Sequence, residues 1–432
     1  MSAVDQERAG STEPARSGDT KQKIEAANAT VIERLVAGDP TLVDIRPAGD
    51  VVPGLEDRML LHSGPPIEWE RMCGAQRGSA LGLALYEGWA KTPEEAERLF
   101  ARGAIRLEPN HHHDSVGPMA GTTSRSLPVF VVENRSFGNR AYCRVVEPRQ
   151  QFGDYGAEAL ETLRLWTDRW SPAIRAGLRR LDGLPLKPIV AKAIQMGDEL
   201  HNRPVAASSL FANAMAAPML EAGVPQKQLA HTLRYLGGHE LFFLGLAMAS
   251  AKSIVMPVAD VPFSTIVTTM ARNGTEFGIR VAGLGEAWFT APAPRIDGLM
   301  LPGYRAEDAG LDMGDSAIIE TVGWGAFVLG GAPGILSLVG GTPEQALQIS
   351  RDMREITAAE HPVYRVPALG FAGAPIGIDI RKVLRTDIVP VIDTAMAHRE
   401  PGHPIIGAGL VRAPLDCFKQ ALVAFARTYG VS

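Results

Sequence analysis

The densest group of titratable side chains is Asn110-His111-His112-His113-Asp114, followed at once by the glycine-bounded turn Val116–Gly121 (VGPMAG). Imidazoles titrate near neutrality and serve as general acids and bases, and a glycine turn can present backbone N–H groups to a phosphate or carboxylate. If the backbone is extended, His111 and His113 share a face. Two imidazoles two residues apart are also a zinc-ligand pattern, but no third ligand stands nearby and no metal is assigned. A solvated loop would account for the imidazoles but not for the flanking glycines.

A second cluster, MGDELHNR (Met196–Arg203), places Asp198, Glu199, His201, Asn202 and Arg203 at the end of an apolar stretch. Such density is costly to bury unpaired, so it reads either as a site or as helix-stabilising pairs between Asp198 and Asn202 and between Glu199 and Arg203. A third segment, ARNGTEFGIR, sets Arg272, Asn273 and Arg280 among glycines. Guanidinium forks match carboxylate and phosphate oxygens, while the plain alternative is a hairpin turn. Two further segments are HSGPPIEW (His62–Trp69), taken with Arg77 and Glu87, and GDSAIIETVGWG (Gly314–Gly325), in which Asp315 is a candidate and Glu320 reads as structural. Walker, dinucleotide-binding, nucleophile-elbow and metalloprotease signatures are missing, so no cofactor is assigned.

These groups need a scaffold. Lys23–Ala37 has a helical period and precedes a short strand at Leu42–Pro47. Thr92-Pro93-Glu94-Glu95 supplies an N-cap, a first-turn proline and early acids for a helix. Leu127–Asn134 and Ala141–Glu147 read as a hairpin around Ser136-Phe137-Gly138-Asn139. Residues 155–261 are mostly helical in period, and beyond Pro262 short strands and glycines return, including Ser316–Gly325. The expected architecture is a multidomain α+β fold: a disordered tail over 1–23, an N-terminal α+β domain over 24–154, a central helical subdomain over 155–261 and a C-terminal α+β domain over 262–432.

Composition narrows the function. A net charge of −5 with Lys and Arg scattered provides no grip on a nucleic-acid backbone. Three distant cysteines, Cys73, Cys143 and Cys417, fit a reducing cytoplasm, and the polar N-terminal residues lack a signal-peptide core. The most apolar run, Leu241–Ala251, is about half of the roughly 20 residues that span a bilayer, so no membrane association is expected. Its apolar surface points instead to self-association or partner docking.

Taken in order, HSGPPIEW, RGSALGLALYEGWA, HHHDSVGPMAG, MGDELHNR, ARNGTEFGI, GLGEAWFTAPA, GDSAIIETVGWG and GIDIRKV resemble the YlbE/YahG family of bacterial proteins from about Ile24 onward. The resemblance implies a role beside an FdrA-like subunit in oxamate carbamoyltransferase, which converts oxalurate and phosphate to oxamate and carbamoyl phosphate in purine and allantoin nitrogen catabolism. Phosphorolysis of a ureido acid needs cations for two anions and a proton for the leaving nitrogen. The working assignment gives Arg203, Arg272 and Arg280 as anion anchors, with Asn273, Asn202, His111, Glu87 and Asp315 as further substrate contacts. Gly117 and Gly121 supply N–H donors from the Val116–Gly121 turn, and His113 is the acid/base with Asp198 or His201 as its partner. The alternatives are a noncatalytic ligand-binding or assembly subunit and an amidohydrolase on a related ureido or cyclic amide substrate.

Overall fold

The computed structural model describes residues 13–430. The first helix spans Glu13–Ala37, and residues 1–12 of the expected tail lie outside the described residues. A five-stranded sheet follows, with spatial order Ser115–Val116, Arg140–Arg144, Pro128–Asn134, Pro40–Pro47 and Leu184–Pro185. The expected hairpin is its centre: Val129 pairs with Arg144 and Glu133 with Arg140. Gly138, at φ +76°, lets the connection turn back.

The apolar run forms part of the helix Leu244–Val255, which packs on that hairpin and buries every residue, Lys252 included. Its surface is consumed within the chain, which removes the sequence-based reason for expecting an exposed docking face. The largest core joins this helix and the first sheet to Trp166, Phe211, Trp324 and Ile376. The helices over 155–261 therefore share one core with the sheet before them rather than owning a separate one.

A second core lies around the sheet Phe289–Pro292, Glu276–Val281, Val267–Asn273 and Met313–Gly314 and the three-stranded sheet Asp297–Met300, Ile405–Arg412 and Val391–Ala397. Mixed helices and mostly antiparallel sheets make this a multidomain α+β fold. Two local expectations change. Met196–Arg203 is not helical, because the preceding helix ends at Gln195 and both Gly197 (φ +86°) and Leu200 (φ +72°) break the period. Ser316–Gly325 is not a strand: the Ile318 N–H donates to the Asp315 carbonyl, opening a short helix over Ile318–Thr321.

The helix Gly74–Tyr86, flanked by the expected Thr92-capped helix Pro93–Ala101, buries its small residues against backbone. A Cβ on Gly78 would run into the Gly153 carbonyl oxygen. Backbone cannot yield as a side chain can, so Gly78→Ala should lower unfolding free energy by about 1–3 kcal/mol, read as a reduced urea midpoint at unchanged slope.

Candidate functional site

Asp315 organises the site. Its fully buried carboxylate accepts the Gly64 N–H at 2.7 Å, the Gly117 N–H at 2.8 Å and the Asn110 side-chain amide at 3.1 Å, while the Asp315 N–H donates to the Gly117 carbonyl at 2.9 Å. A Cβ on Gly117 would strike the Gly121 carbonyl and the Asn110 amide, so glycine is required for this approach. Three donors of the turn are used within the chain: the Gly117 N–H goes to Asp315, that of Ala120 to Gln151 and that of Gly121 to Pro118. Gly117, Gly121 and Asp315 are thus structural ties, a correction to their assignment as substrate contacts.

Beside this tie, cations gather. Asn110–His113 is a tight 3-10 turn rather than extended chain, which separates His111 from His113. His111 points inward, its Nε2 at 3.4 Å from Asp315 Oδ1, and neither ring nitrogen has a hydrogen-bond partner. Burial, opposed by Asp315, lowers its pKa to about 4, so the ring is neutral near pH 7. Lys252 is 6% exposed, and its ammonium reaches only the His111 carbonyl, at 3.4 Å. Burial, reinforced by Arg280, lowers the Lys252 pKa to about 8. Arg280 is 7% exposed and lies 5.7 Å from the Trp288 ring centre; its acidic neighbour Glu286, at 3.6 Å, is almost wholly solvated. The Trp288 ring also meets the edge of His111, and its N–H donates to His112 Nε2 at 3.1 Å. Arg280 and a neutral imidazole with free nitrogens therefore meet one indole, and Lys252 reaches the backbone that carries that imidazole.

A second cluster is built from the other end of the Gly314–Gly325 segment. His201 Nδ1 lies 2.8 Å from Glu320 Oε1 and 3.2 Å from Asp393 Oδ1, all three being buried. Burial disfavours charge on His201, but the two carboxylates more than reverse this and raise its pKa to about 9. Burial, opposed by His201, pushes Glu320 up to about 7. Burial and the charge of Asp393 push Glu199 well above the ordinary carboxylate range. Arg272 stands between the clusters, donating twice to Asp312 (2.6 and 2.9 Å) and once each to the Gly314 carbonyl and Thr394.

The remaining sequence candidates are placed elsewhere. Arg272 is saturated by these partners and cannot anchor a substrate anion. Asn273 closes its own turn, accepting the Thr275 and Glu276 N–H groups. His113 is half-buried and bonds the Pro53 carbonyl at 2.7 Å, away from the cations, so its role as acid/base is withdrawn. Asp198 accepts the Leu200 and Ala207 N–H groups and anchors the start of the helix Val205–Glu221. Glu87 accepts both donors of Ser126. Arg203 lies against Gly334, with its N–H on Glu199, and Asn202 is buried with an unpartnered amide nitrogen. Of the expected anchors, only Arg280 meets the histidine loop. Sequence reasoning passed over Lys252, Trp288 and Asp393 and read Glu320 as structural; a single lysine within a wholly buried apolar helix was the available signal.

Fold and geometry together define an α+β protein whose interior holds two buried cations beside a neutral imidazole and, apart from them, a carboxylate–imidazole cluster. A family profile described as "Oxamate carbamoyltransferase subunit AllG" matches residues 105–316. The chain is 43% identical to the Escherichia coli K12 protein of that name over 94% of this chain and 98% of the relative. It is 42% identical to the E. coli K12 "Uncharacterized protein YahG" over 95% of this chain and 87% of that one. A crystal structure of a conserved protein of unknown function from Enterococcus faecalis V583 superposes with a TM-score of 0.93 at 42% identity, covering 95% of this chain and 99% of the other. The chain belongs to the AllG family. Among the described residues no helix is long and apolar enough to cross a membrane.

Arg272→Met would leave Asp312 buried and unpaired, so it should cost about 3–5 kcal/mol of stability, measured by chemical denaturation. His113→Asn, by contrast, should change stability by less than about 1 kcal/mol in the same measurement.

Proposed function

We propose that this chain is a subunit of a carbamoyl-transferring enzyme that cleaves a ureido acid with phosphate, oxalurate being the substrate that the family relationship favours. The observation that carries this reading is the pair of buried cations, Lys252 and Arg280, neither in direct contact with a buried carboxylate among the described residues, beside a glycine-bounded histidine loop. Leaving two cations desolvated is costly unless an anion completes them. Both substrates of such a reaction are oxyanions.

In phosphorolysis a phosphate oxygen attacks the ureido carbonyl, the bond to the oxamate nitrogen breaks, and that nitrogen takes up a proton. Arg280 is suited to hold a phosphate or carboxylate by its fork. Lys252, with a pKa of about 8, is suited either to bind an oxygen or to deliver the proton. His111, neutral and unpartnered, can donate from one nitrogen to the carbonyl oxygen as charge develops there. The word "subunit" in the relative's name supports a multisubunit assembly, in which the working partner is an FdrA-like subunit.

The chain purified alone and with an FdrA-like subunit should be assayed for oxalurate cleavage. The proposal expects carbamoyl phosphate formation that requires phosphate; product formation at the same rate without phosphate would favour the amidohydrolase instead. A complex that keeps full activity with Lys252→Met and Arg280→Gln would reduce this chain to assembly.

Lys252 faces Arg280, His111, Asp114, Asp315 and Glu286. Its folded pKa lies below the ordinary lysine value, so its positive charge is present below about pH 8 and lost above it. Phosphate affinity, measured calorimetrically, should fall as pH rises through that value. Lys252→Met should weaken binding by about 10- to 100-fold, the worth of one charge-assisted hydrogen bond, and remove that pH dependence.

A further inference from the structure

The carboxylate–imidazole cluster is not used by the reading above, and its bonding does not close. His201 follows the helix Lys187–Gln195, Glu320 stands in the short helix Ile318–Thr321, and Asp393 lies in the strand Val391–Ala397. These distant stretches bring one ligand atom from each side chain to within 4.8 Å of the others. A histidine Nδ1 carries at most one hydrogen, so it can donate to Glu320 Oε1 or to Asp393 Oδ1 but not fully to both. Glu320 Oε2 and both Asp393 oxygens are buried without an N–H or hydroxyl partner, and the one donor the protein can offer Asp393 beside His201 is a proton shared with the Glu199 or Glu320 carboxyl. Unsatisfied carboxylate oxygens of this kind are among the most costly groups to bury.

Backbone without a side chain packs directly against them. Gly325 has φ +63°, and a Cβ there would run into Glu320 Oε1 and press on Asp393 Oδ1. Its N–H donates to the Glu199 carbonyl at 2.7 Å, which holds the glycine in place against the two carboxylates. Glu199 in turn accepts the N–H groups of His201 and Arg203 and so fixes the backbone that carries the imidazole. Trp324, next to Gly325, and Asn202, next to His201, each bury a side-chain N–H group with no partner.

We propose that His201, Glu320 and Asp393 bind one divalent first-row transition cation, with Glu199 as a positioning residue. One imidazole nitrogen with two carboxylates is a mixed nitrogen–oxygen set that suits manganese, iron or zinc, whereas calcium and magnesium favour all-oxygen ligands. Two carboxylates balance the double charge when the imidazole is neutral. The ion takes the place that a single shared proton cannot fill, and the lone pairs of all three residues then point at one centre. Three protein ligands leave at least one coordination position for a water molecule or a substrate oxygen.

The test uses the full chain, stripped with a chelator and titrated separately with Mn²⁺ and Zn²⁺ by calorimetry, with thermal unfolding recorded in parallel. One equivalent should bind and raise the midpoint, and Glu320→Gln should weaken binding by about 100-fold or more. X-ray absorption on the loaded wild-type chain, which does not depend on a variant folding, should show one imidazole nitrogen with carboxylate oxygens in the first shell. Failure of both ions to bind saturably, unchanged affinity in Glu320→Gln, or a first shell without imidazole would each overturn the proposal. None of these readouts involves carbamoyl transfer, so the anion-pocket reading stands or falls separately.

Discussion

A buried carboxylate that meets no solvent holds the architecture of the site together. Asp315 accepts from three separate stretches of chain, at Gly64, Asn110 and Gly117, and returns its own N–H to Gly117. Charged hydrogen bonds of this type are stronger than neutral ones, and in a dry interior their loss leaves a charge with no compensation. Glycine stands at 64 and 117 because a Cβ on Gly117 would strike the Asn110 amide of the tie and one on Gly64 would strike the backbone of Arg272 and Asn273.

From that anchor the Gly314–Gly325 segment runs between two kinds of charge. At its start lie Lys252, Arg280 and the histidine loop, and at its end lie Glu320, His201 and Asp393. Arg272, pinned by Asp312, Thr394 and the Gly314 carbonyl, holds the strand bearing Asp393 and this segment in one frame. The two clusters are separately charged, one positive and one negative, and each has polar atoms whose valences the protein leaves open.

Local patterns were legible where one element's own chemistry decided the outcome. The Thr92 cap, the hairpin around Gly138 and the buried helix around Leu246 follow from capping, turn and hydrophobic rules that act over a few residues. The site was legible only in part. The histidine loop, MGDELHNR and GDSAIIETVGWG did prove to be dense polar centres, but residue roles depend on which segments meet, and sequence spacing does not carry that information. His113 and His111 are two residues apart and face different partners because a 3-10 turn replaced the extended chain. Arg272 and Arg280 belong to one motif, yet one is consumed by Asp312 and the other is held under Trp288. Asp393 sits in an unremarked apolar strand and becomes visible as chemistry only beside His201.

The proposed function depends on Lys252 and Arg280, beside His111, binding an oxyanion. A crystal structure of the chain with oxamate and phosphate at saturating concentration addresses that directly. The account predicts oxyanion density within hydrogen-bond distance of Lys252 Nζ and the Arg280 guanidinium, with His111 donating to it. Ordered density for the anions elsewhere on the molecule, with that pocket holding only water, would contradict it.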